Sequence, residues 1–336
     1  MKKVGILGTG SIANVHLDGW KMLPVEIAAH YDIRPEAAQR AASLYGGVAC
    51  TDLEDFYQRV DLVDICTPAA VHKDNVLTTA AAGKSMVCEK PLARHLADAQ
   101  AIVDAVEANG VRLFVAQVVR FFPQFARTKQ VIDGGSIGKP GVIRTIRAGS
   151  FPRMGGTFTS NFYADFNKSG GVILDVGIHD IDFQRWCCGE VERVFARGLT
   201  FAGLNECDHA LITLKFASGT IGHVECSWAH PPRNWRTRIE IAGDGGLIEW
   251  DAFEDMPLLA LMNTNDEIGF SRTTGSPTAA QDNPYYLELK HFLECVEEDK
   301  PFLVTPQDGL MAVKISLAAI ESLRTGKPVE LHSFKG

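Results

Sequence analysis

Short apolar runs alternate with amphipathic segments over about the first 120 residues. Apolar runs bounded by glycine or proline predict buried strands, and apolar residues that recur every three or four positions predict helices. The predicted strands are 3–7, 25–31, 61–66, 85–88 and 112–117, with a short one near 48, and the predicted helices lie near 12–22, 35–45, 69–82 and 95–108. This alternation indicates a doubly wound parallel sheet, and therefore a nucleotide-binding domain.

The pattern in the rest of the chain is typical of antiparallel strands. Apolar and polar residues alternate in 212–216 and in 236–241, as expected for a sheet with one covered face and one more polar face. The polar face could be solvated or could hold a partner subunit. Two late amphipathic segments, 284–298 and 307–325, predict helices, and the polar stretch 263–283 predicts a long surface loop.

The length of 336 residues allows two domains, because single cores usually stop growing near ~250 to 300 residues. We predict a dinucleotide-binding domain over 1–122 and a substrate-binding and oligomerisation domain over 123–336. The formal charge of −8 disfavours nucleic acid and anionic membranes as partners. The eight cysteines form no CxxC pair, and no apolar run approaches the ~20 residues that span a bilayer. We therefore expect reduced cysteines and a cytoplasmic location.

The first predicted strand runs into a glycine-rich turn, Gly8-Thr9-Gly10-Ser11-Ile12-Ala13. Gly8 permits a tight turn, Gly10 lets backbone amides approach phosphates, and the small Ala13 lets the helix pack closely on the strand. With Ser11 and Ile12, these residues predict a pyrophosphate site at the N-terminus of the first helix.

An acidic residue, Asp32, follows 19 residues after Ala13, at the end of the second apolar run. Its carboxylate can accept hydrogen bonds from an adenosine ribose diol and would repel a 2′-phosphate, which favours NAD. Arg34 lies two residues further on, and its guanidinium could pair with that phosphate. NADP therefore stays open as the cofactor.

Ligands of an open parallel sheet bind outside the carboxyl ends of the strands. The strand over 61–66 is followed by Thr67, Pro68 and, early in the next helix, His72. The strand over 85–88 is followed by Glu89 and Lys90, and a proline restricts Lys90 to an extended conformation. Glu89 could accept hydrogen bonds from ribose hydroxyls while Lys90 reaches the reacting oxygen. The alternative is a solvated charged loop.

A second group of polar residues lies in a predicted helix that begins near Gly170. Asp175 and His179 stand four residues apart and would share one face, with Asp182 one turn further on. A carboxylate near an imidazole orients it and raises its basicity, which suits a general base. An exposed Asp-His pair is the alternative. A metal site is disfavoured, because a third ligand with motif-like spacing is missing.

Other candidates depend on how the chain folds around the predicted crevice. Gln117 and Arg120 follow the strand over 112–117 and could contact nicotinamide or substrate, or Arg120 could be an interdomain salt-bridge partner. Phe151, Arg153 and Trp235 could wall the cleft, although core packing or a surface role is favoured over ligand contact for each of them individually. Three histidines are interpreted as structural: His16, His209 and His223.

These motifs together resemble the Gfo/Idh/MocA family, named after glucose-fructose oxidoreductase, inositol dehydrogenase and a rhizopine catabolism protein. The resemblance covers nearly the whole chain. It includes the glycine turn, Asp32 with Arg34, Cys66-Thr67-Pro68 with His72, Glu89-Lys90-Pro91, Gly170-Gly171 with Asp175 and His179, and the C-terminal stretches Pro306–Leu310 and Ser322–Val329. The lysine motif combined with the Asp-His helix is far more specific than the glycine turn.

The resemblance implies an N-terminal Rossmann domain and a C-terminal α/β domain with a mainly antiparallel sheet that often forms the interface of a homo-oligomer, a dimer or a tetramer. It implies that Lys90 is the catalytic lysine and that Asp175 and His179 complete the set. Residues 116–120 depart from the stretch that many members have, and the segment 151–167 matches no recognised substrate subgroup.

The expected reaction is reversible hydride transfer between nicotinamide and a secondary alcohol of a sugar or cyclic polyol. His179 would move the hydroxyl proton, Asp175 would hold its imidazole, and Lys90 would stabilise charge on the oxygen. Whether His179 or Lys90 moves the proton stays open. Two alternatives are an NAD-dependent glycosidase that retains its cofactor and a regulatory protein that binds NAD(H) without chemistry.

Overall fold

The computed structural model describes residues 1–149, 151, 163, 165–201, 207–230, 235–252, 258–263, 268–273 and 283–336. The chain divides into two compact units. The first unit comprises Met1–Phe121 and Pro277–Leu310, and the second comprises Phe122–Ser276 and Met311–Gly336.

The strands and helices below are numbered in chain order. The strands are β1 (Lys2–Leu7), β2 (Val25–Tyr31), β3 (Val48–Ala49), β4 (Leu62–Ile65), β5 (Ser85–Glu89), β6 (Leu113–Ala116), β7 (Pro140–Ala148), β8 (Val191–Leu199), β9 (His209–Phe216), β10 (Ile221–Ser227), β11 (Arg236–Gly243), β12 (Gly246–Asp251), β13 (Leu258–Asn263), β14 (Ile268–Thr273) and β15 (Val329–Glu330). The α-helices are α1 (Ser11–Trp20), α2 (Pro35–Tyr45), α3 (Leu53–Arg59), α4 (His72–Ala81), α5 (Leu96–Ala108), α6 (Pro123–Asp133), α7 (Phe166–Ser169), α8 (Ile178–Cys188), α9 (Pro284–Glu297) and α10 (Pro306–Thr325).

The sheet of the first unit is parallel throughout, with strand order β3-β2-β1-β4-β5-β6. This is the doubly wound order, and it confirms the predicted fold of the N-terminal part. Every residue of β4 and β6 is buried, as expected for strands that are covered on both faces. The strand order reverses between β1 and β4, so the crevice at the carboxyl ends opens there.

One helix of the first unit, α3, was not predicted from the sequence. The Asp52 side chain caps it by accepting a hydrogen bond from the backbone N–H of Asp55 at 2.8 Å. Of its seven residues only Phe56 is buried. A helix of two turns with one buried side chain shows no repeat of apolar positions, and the periodicity signal therefore misses it.

Helix α9 belongs to the first unit, whereas the predicted division at 122/123 assigns it to the second. Leu289 and Phe292 are fully buried. The Phe292 ring lies 6.3 Å from the ring of Trp20 in α1, and a Cβ placed on Gly19 would come within 3.0 Å of Leu289. Helix α9, although late in the sequence, therefore packs on α1 of the nucleotide-binding unit through apolar contacts.

The second unit has a nine-stranded sheet in the order β14-β13-β12-β11-β7-β10-β9-β8-β15. All neighbours are antiparallel except β7 and β10, which confirms the mainly antiparallel sheet. The predicted alternation is present in β9, where Ile212, Leu214 and Phe216 are buried and Leu211 and Lys215 are exposed.

The predicted loop over 263–283 is wrong for residues 268–273, which form β14. Among the described strands, β14 lies at an end of the sheet and pairs with β13 alone. An edge strand has only one neighbour, so its sequence is less constrained to alternate than that of a central strand. Residues 274–282 lie outside the described residues. In the described part of the chain, no helix combines the length and apolar character that crossing a membrane requires.

Candidate cofactor and active site

The glycine turn after β1 requires glycine at its first position. Gly8 has φ of +89°, which L side chains rarely adopt, and its N–H donates to the Tyr31 carbonyl at 2.8 Å. A Cβ at this position would lie 2.7 Å from Cγ2 and 2.9 Å from the backbone nitrogen of Thr67. The turn is thereby packed against the end of β4.

Helix α1 begins directly after this turn and has an open N-terminus. Gly10 is the N-cap, no side chain caps the helix, and its first turn contains no acidic residue. The backbone N–H groups around Ser11 and Ile12 are therefore not satisfied by a capping side chain, which suits an anion. Ala13 is fully buried, as close packing of the helix requires.

The carboxylate of Asp32 is held at the end of β2 by four hydrogen bonds. One oxygen accepts from the backbone N–H of Thr9 at 2.9 Å and from its hydroxyl at 3.1 Å. The other accepts from the Arg34 backbone at 2.9 Å and from its Nε at 3.3 Å. Burial opposes ionisation, but these hydrogen bonds outweigh it and lower the pKa of Asp32. The glycine turn, the open helix end and this ionised carboxylate fit a dinucleotide.

The His72 ring contacts backbone carbonyls of the loop after β4 and of the loop after β5. The His72 ring is buried, with Nδ1 2.9 Å from the Pro91 carbonyl and Nε2 2.7 Å from the Thr67 carbonyl. Burial lowers the pKa of His72, while its hydrogen bonds to the Thr67 and Pro91 carbonyls oppose this shift. Its polar atoms thus contact the two loops that follow β4 and β5, while Thr67 is half-buried and Pro68 is exposed.

The end of β5 lies over a buried group of charged side chains that the sequence did not predict. His16 in α1 lies between Asp64 of β4 and Glu89 of β5, with Nδ1 2.9 Å from Asp64 and Nε2 3.0 Å from Glu89. Burial alone would lower the pKa of His16, but the charge and hydrogen bonds of Asp64 raise it well above its ordinary value. The sequence did contain one sign of this buried group: Asp64 is a charged residue inside an otherwise apolar strand.

Glu288 of α9 faces the same group. Its two buried carboxyl oxygens make no hydrogen bond with any described residue, and one lies 3.9 Å from Nε2 of His16. Burial raises the pKa of Glu288 well above its ordinary value, and the charges of Glu89 and Asp64 add to this effect while His16 opposes it, which favours the neutral carboxyl.

Gln117 and Arg120 follow β6 and are both buried. Arg120 donates to the Leu303 carbonyl at 2.8 Å, and its guanidinium lies 3.5 Å from Asp308, so it makes an ion pair within the first unit. Among the residues that the structure describes, the side-chain oxygen and nitrogen of Gln117 have no hydrogen-bond partner. Such a group is costly unless something pairs with it.

The predicted Asp-His helix is irregular where the two residues lie. Asp175 is in a π-helical turn, Ile173–Gly177, and His179 is in the first turn of α8, which follows it. Both are half-buried, and Asp182 is buried. A Cβ on Gly177 would lie 3.0 Å from Sγ of Cys226, so close packing against β10 accompanies the turn. Such turns often occur at functional sites.

The remaining substrate candidates lie in the second unit. Phe151 packs edge-on against Trp228, with ring centroids 5.5 Å apart, and Trp235 is 51% exposed. Arg153 lies outside the described residues. The structure brings the glycine turn, Asp32, Thr67, Glu89, Lys90 and Gln117 into the first unit, whereas Asp175 and His179 belong to the second.

Substitution Gly8→Ala is expected to lower the affinity for NADH at least about tenfold, close to 1.4 kcal/mol, because the added Cβ overlaps Thr67. Gly46→Ala is the control: Gly46 has φ of +85°, but a Cβ there meets nothing within 4 Å. Fluorescence titration with NADH measures both dissociation constants. Equal affinities for the two variants would contradict the steric requirement at Gly8.

Substitution Glu288→Gln is expected to raise the melting temperature, and the gain should grow between pH 5 and pH 8. The pKa of Glu288 is higher in the folded than in the unfolded enzyme, so its contribution to stability is complete below the unfolded pKa and is lost as pH rises. Glutamine does not titrate, so only the wild-type enzyme loses this stability. One proton corresponds to about 1.4 kcal/mol per pH unit. Glu294→Gln, on the exposed face of α9, is the control. Parallel curves for wild type and Glu288→Gln would refute the buried neutral carboxyl.

Two family descriptions match the chain. Residues 2–117 match the oxidoreductase family with an NAD-binding Rossmann fold, and residues 125–249 match the GFO/IDH/MocA C-terminal domain.

The chain is similar over its full length to characterised dehydrogenases. It is 30% identical to myo-inositol 2-dehydrogenase of Thermotoga maritima, over 99% of this chain and 100% of that protein. It is 32% identical to scyllo-inositol 2-dehydrogenase (NAD(+)) of Bacillus subtilis, over 81% of this chain and 78% of that protein. The crystal structure of a probable dehydrogenase from Thermotoga maritima has a TM-score of 0.84 at 29% identity, covering 98% of this chain and 99% of that one.

These matches confirm the family resemblance carried by the glycine turn, the lysine motif and the Asp-His helix. They also confirm the predicted oxidoreductase class and NAD as cofactor. The chain belongs to the Gfo/Idh/MocA family of NAD-binding oxidoreductases.

Proposed function

We propose that this enzyme oxidises a secondary alcohol of a cyclic polyol or sugar and passes the hydride to NAD. The observation that carries the proposal is that one chain combines the dinucleotide turn and Asp32 with a lysine directly beyond the buried strand β5. The inositol dehydrogenases that resemble the chain over most of its length support the substrate class.

The proposed cofactor residues lie at or near the carboxyl ends of the parallel strands. They are Gly8, Gly10, Ser11, Ile12, Ala13, Asp32, Arg34, Thr67, Pro68, His72, Lys90 and Gln117. Glu89, the predicted ribose contact, lies at the same edge, but its two carboxylate oxygens already contact His16 and the Lys90 N–H. NAD is preferred over NADP because the ionised Asp32 would repel a 2′-phosphate, and Arg34 already pairs with Asp32.

Gln117 is proposed to bind the carboxamide of nicotinamide. Its buried amide offers one acceptor and two donors, and no group in the described part of the chain uses them. A primary carboxamide presents the complementary donor and acceptor, so a pair of hydrogen bonds would satisfy both amides.

The proposed substrate residues are Lys90, Arg120, Phe151, Arg153, Asp175, His179 and Trp235, of which three carry the chemistry. Bound nicotinamide supplies the hydride acceptor. His179 takes the hydroxyl proton, Asp175 orients its imidazole, and Lys90 places a positive charge beside the oxygen as negative charge develops on it. The half-buried setting of all three limits water around them while leaving them accessible.

We propose a homo-oligomer that forms through the uncovered face of the nine-stranded sheet. Leu211 and Ile221 are exposed apolar residues on adjacent strands of that sheet, and the resemblance to the family supports the same face. A cytoplasmic location is supported by the eight cysteines, all of which are free thiols.

Substitutions Lys90→Met and His179→Asn are expected to lower kcat on the preferred polyol at least about 100-fold, because each removes a group that acts in the transition state. A panel of inositols and monosaccharides with NAD, followed at 340 nm, first identifies that substrate. Lys84→Met is the matched control, since Lys84 lies at the opposite end of β5 and donates to the Val60 carbonyl. Wild-type kcat in Lys90→Met and His179→Asn would refute the catalytic assignment.

The same panel separates the alternatives. Stoichiometric NADH production supports the dehydrogenase. Cleavage of a glycoside without net NADH release would favour a glycosidase with retained cofactor, and NADH binding without turnover would favour a regulatory protein.

Substitution Gln117→Leu is expected to weaken NADH binding about tenfold without lowering the melting temperature of the free enzyme. Leucine removes the proposed hydrogen bonds to nicotinamide and also removes an unsatisfied buried amide. Calorimetric titration and thermal melts measure the two effects. Unchanged NADH affinity, or a clear loss of stability without cofactor, would contradict the proposed contact.

A further inference from the structure

A continuous line of buried hydrogen bonds connects strand β4 to the main chain of Lys90. Asp64 of β4 contacts Nδ1 of His16 at 2.9 Å, and Nε2 of His16 contacts Oε1 of Glu89 at 3.0 Å. The second oxygen of Glu89, Oε2, accepts the backbone N–H of Lys90 at 2.9 Å. Each member of the line thus uses one atom toward β4 and another toward Lys90.

A protonated His16 fits this geometry. Each ring nitrogen faces a carboxylate oxygen at hydrogen-bond distance, and an imidazolium donates to both. The groups that face it are Asp64, Cys66, Glu89 and Glu288, together with the ring of Tyr285.

Asp64 is anchored independently of His16. The indole Nε1 of Trp20 donates to Asp64 at 2.8 Å, and the Cys66 thiol lies 3.4 Å from its other oxygen. The His16 end of the line is therefore fixed to β4 and α1 by several contacts. Glu288, whose carboxyl makes no hydrogen bond, is beside the line and not part of it.

Glu89 carries the constraint to the lysine. Strand β5 ends at Glu89, so Lys90 lies just beyond the ladder of backbone pairs. Glu89 is 6% exposed, and each of its carboxylate oxygens already accepts a hydrogen bond from the protein. A residue inside the strand would donate its backbone N–H to a neighbouring strand. The N–H of Lys90 donates to the Glu89 carboxylate instead, and this hydrogen bond holds the main chain of Lys90.

We propose that His16 and Glu89 are positioning residues that hold the main chain of Lys90 and thereby direct its amino group to the reacting oxygen. The inference rests on the proposed catalytic role of Lys90. Small displacements of a catalytic group lower the rate of the chemical step more than they lower cofactor affinity. If Glu89 positions Lys90, its substitution should lower kcat. If Glu89 instead binds ribose, its substitution should lower the affinity for NADH.

The test compares kcat and the NADH dissociation constant in His16→Gln, Glu89→Ala and Glu89→Gln. His16→Gln and Glu89→Ala are expected to lower kcat about ten- to 100-fold, with NADH affinity within about twofold of wild type. Glu89→Gln should recover most of the loss, because its amide oxygen still accepts the Lys90 N–H.

Glu288→Gln is the matched control, because Glu288 lies beside the hydrogen-bonded line without belonging to it, and it should keep wild-type kcat. Weakened NADH binding by Glu89→Ala with unchanged kcat would overturn the proposal.

A double-mutant cycle separates a positioning role from a structural one. If His16 acts through Lys90, adding His16→Gln to Lys90→Met should cause no further loss of kcat, measured at high enzyme concentration. Independent, multiplying losses would overturn the inference. Should His16→Gln fail to bind NADH, the same cycle with Glu89→Ala decides.

The cycle also keeps the two proposals apart. Wild-type kcat in Lys90→Met refutes the proposed function itself. A large loss in Lys90→Met combined with wild-type kcat in His16→Gln and Glu89→Ala refutes only the positioning role.

Discussion

Parallel pairing of six strands places all of their carboxyl ends along one edge of the first unit, and the candidate cofactor site depends on this constraint. Gly8 follows β1, Thr67 follows β4, Lys90 follows β5 and Gln117 follows β6. Residues that are far apart in the sequence thereby become neighbours. β4 and β6, which end at this edge, are buried along their whole length.

The same burial makes charge inside the unit expensive, and the unit resolves this in two ways. Asp64 and Glu89 share a cation, His16, which offsets one of their two negative charges. Glu288 instead keeps its proton. Apolar side chains in place of all of these groups together would remove their desolvation penalty. Their presence next to the end of β5 is therefore better explained by positioning than by stability.

Local patterns in the sequence predicted most of the fold and the edge that holds the site. The runs 25–31 and 35–45 coincide with β2 and α2, because Gly46 and Pro35 mark the ends of the helix. The π-helical turn at Ile173–Gly177 was predicted as ordinary helix, since apolar spacing does not distinguish the two. The hydrogen-bonded line of Asp64, His16 and Glu89 joins residues from β4, α1 and β5. Contacts between residues so far apart in the sequence leave no local pattern from which they could be predicted. Similarly, the amphipathic pattern of α9 indicates a covered face but not the partner that covers it.

Strand order along the chain also has a consequence for how the protein is made. β7, the middle strand of the nine, precedes all its partners in the sequence, and its neighbours β10 and β11 begin at Ile221 and Arg236. Until those strands leave the ribosome, β7 has two unpaired edges, which are templates for intermolecular association. The nucleotide-binding unit is also unfinished at that stage, because α9 is synthesised after the whole sheet of the second unit apart from β15. Biosynthesis thus exposes incomplete surfaces of both units at once, and a chain that stops before residue 284 lacks part of the unit that begins at its N-terminus.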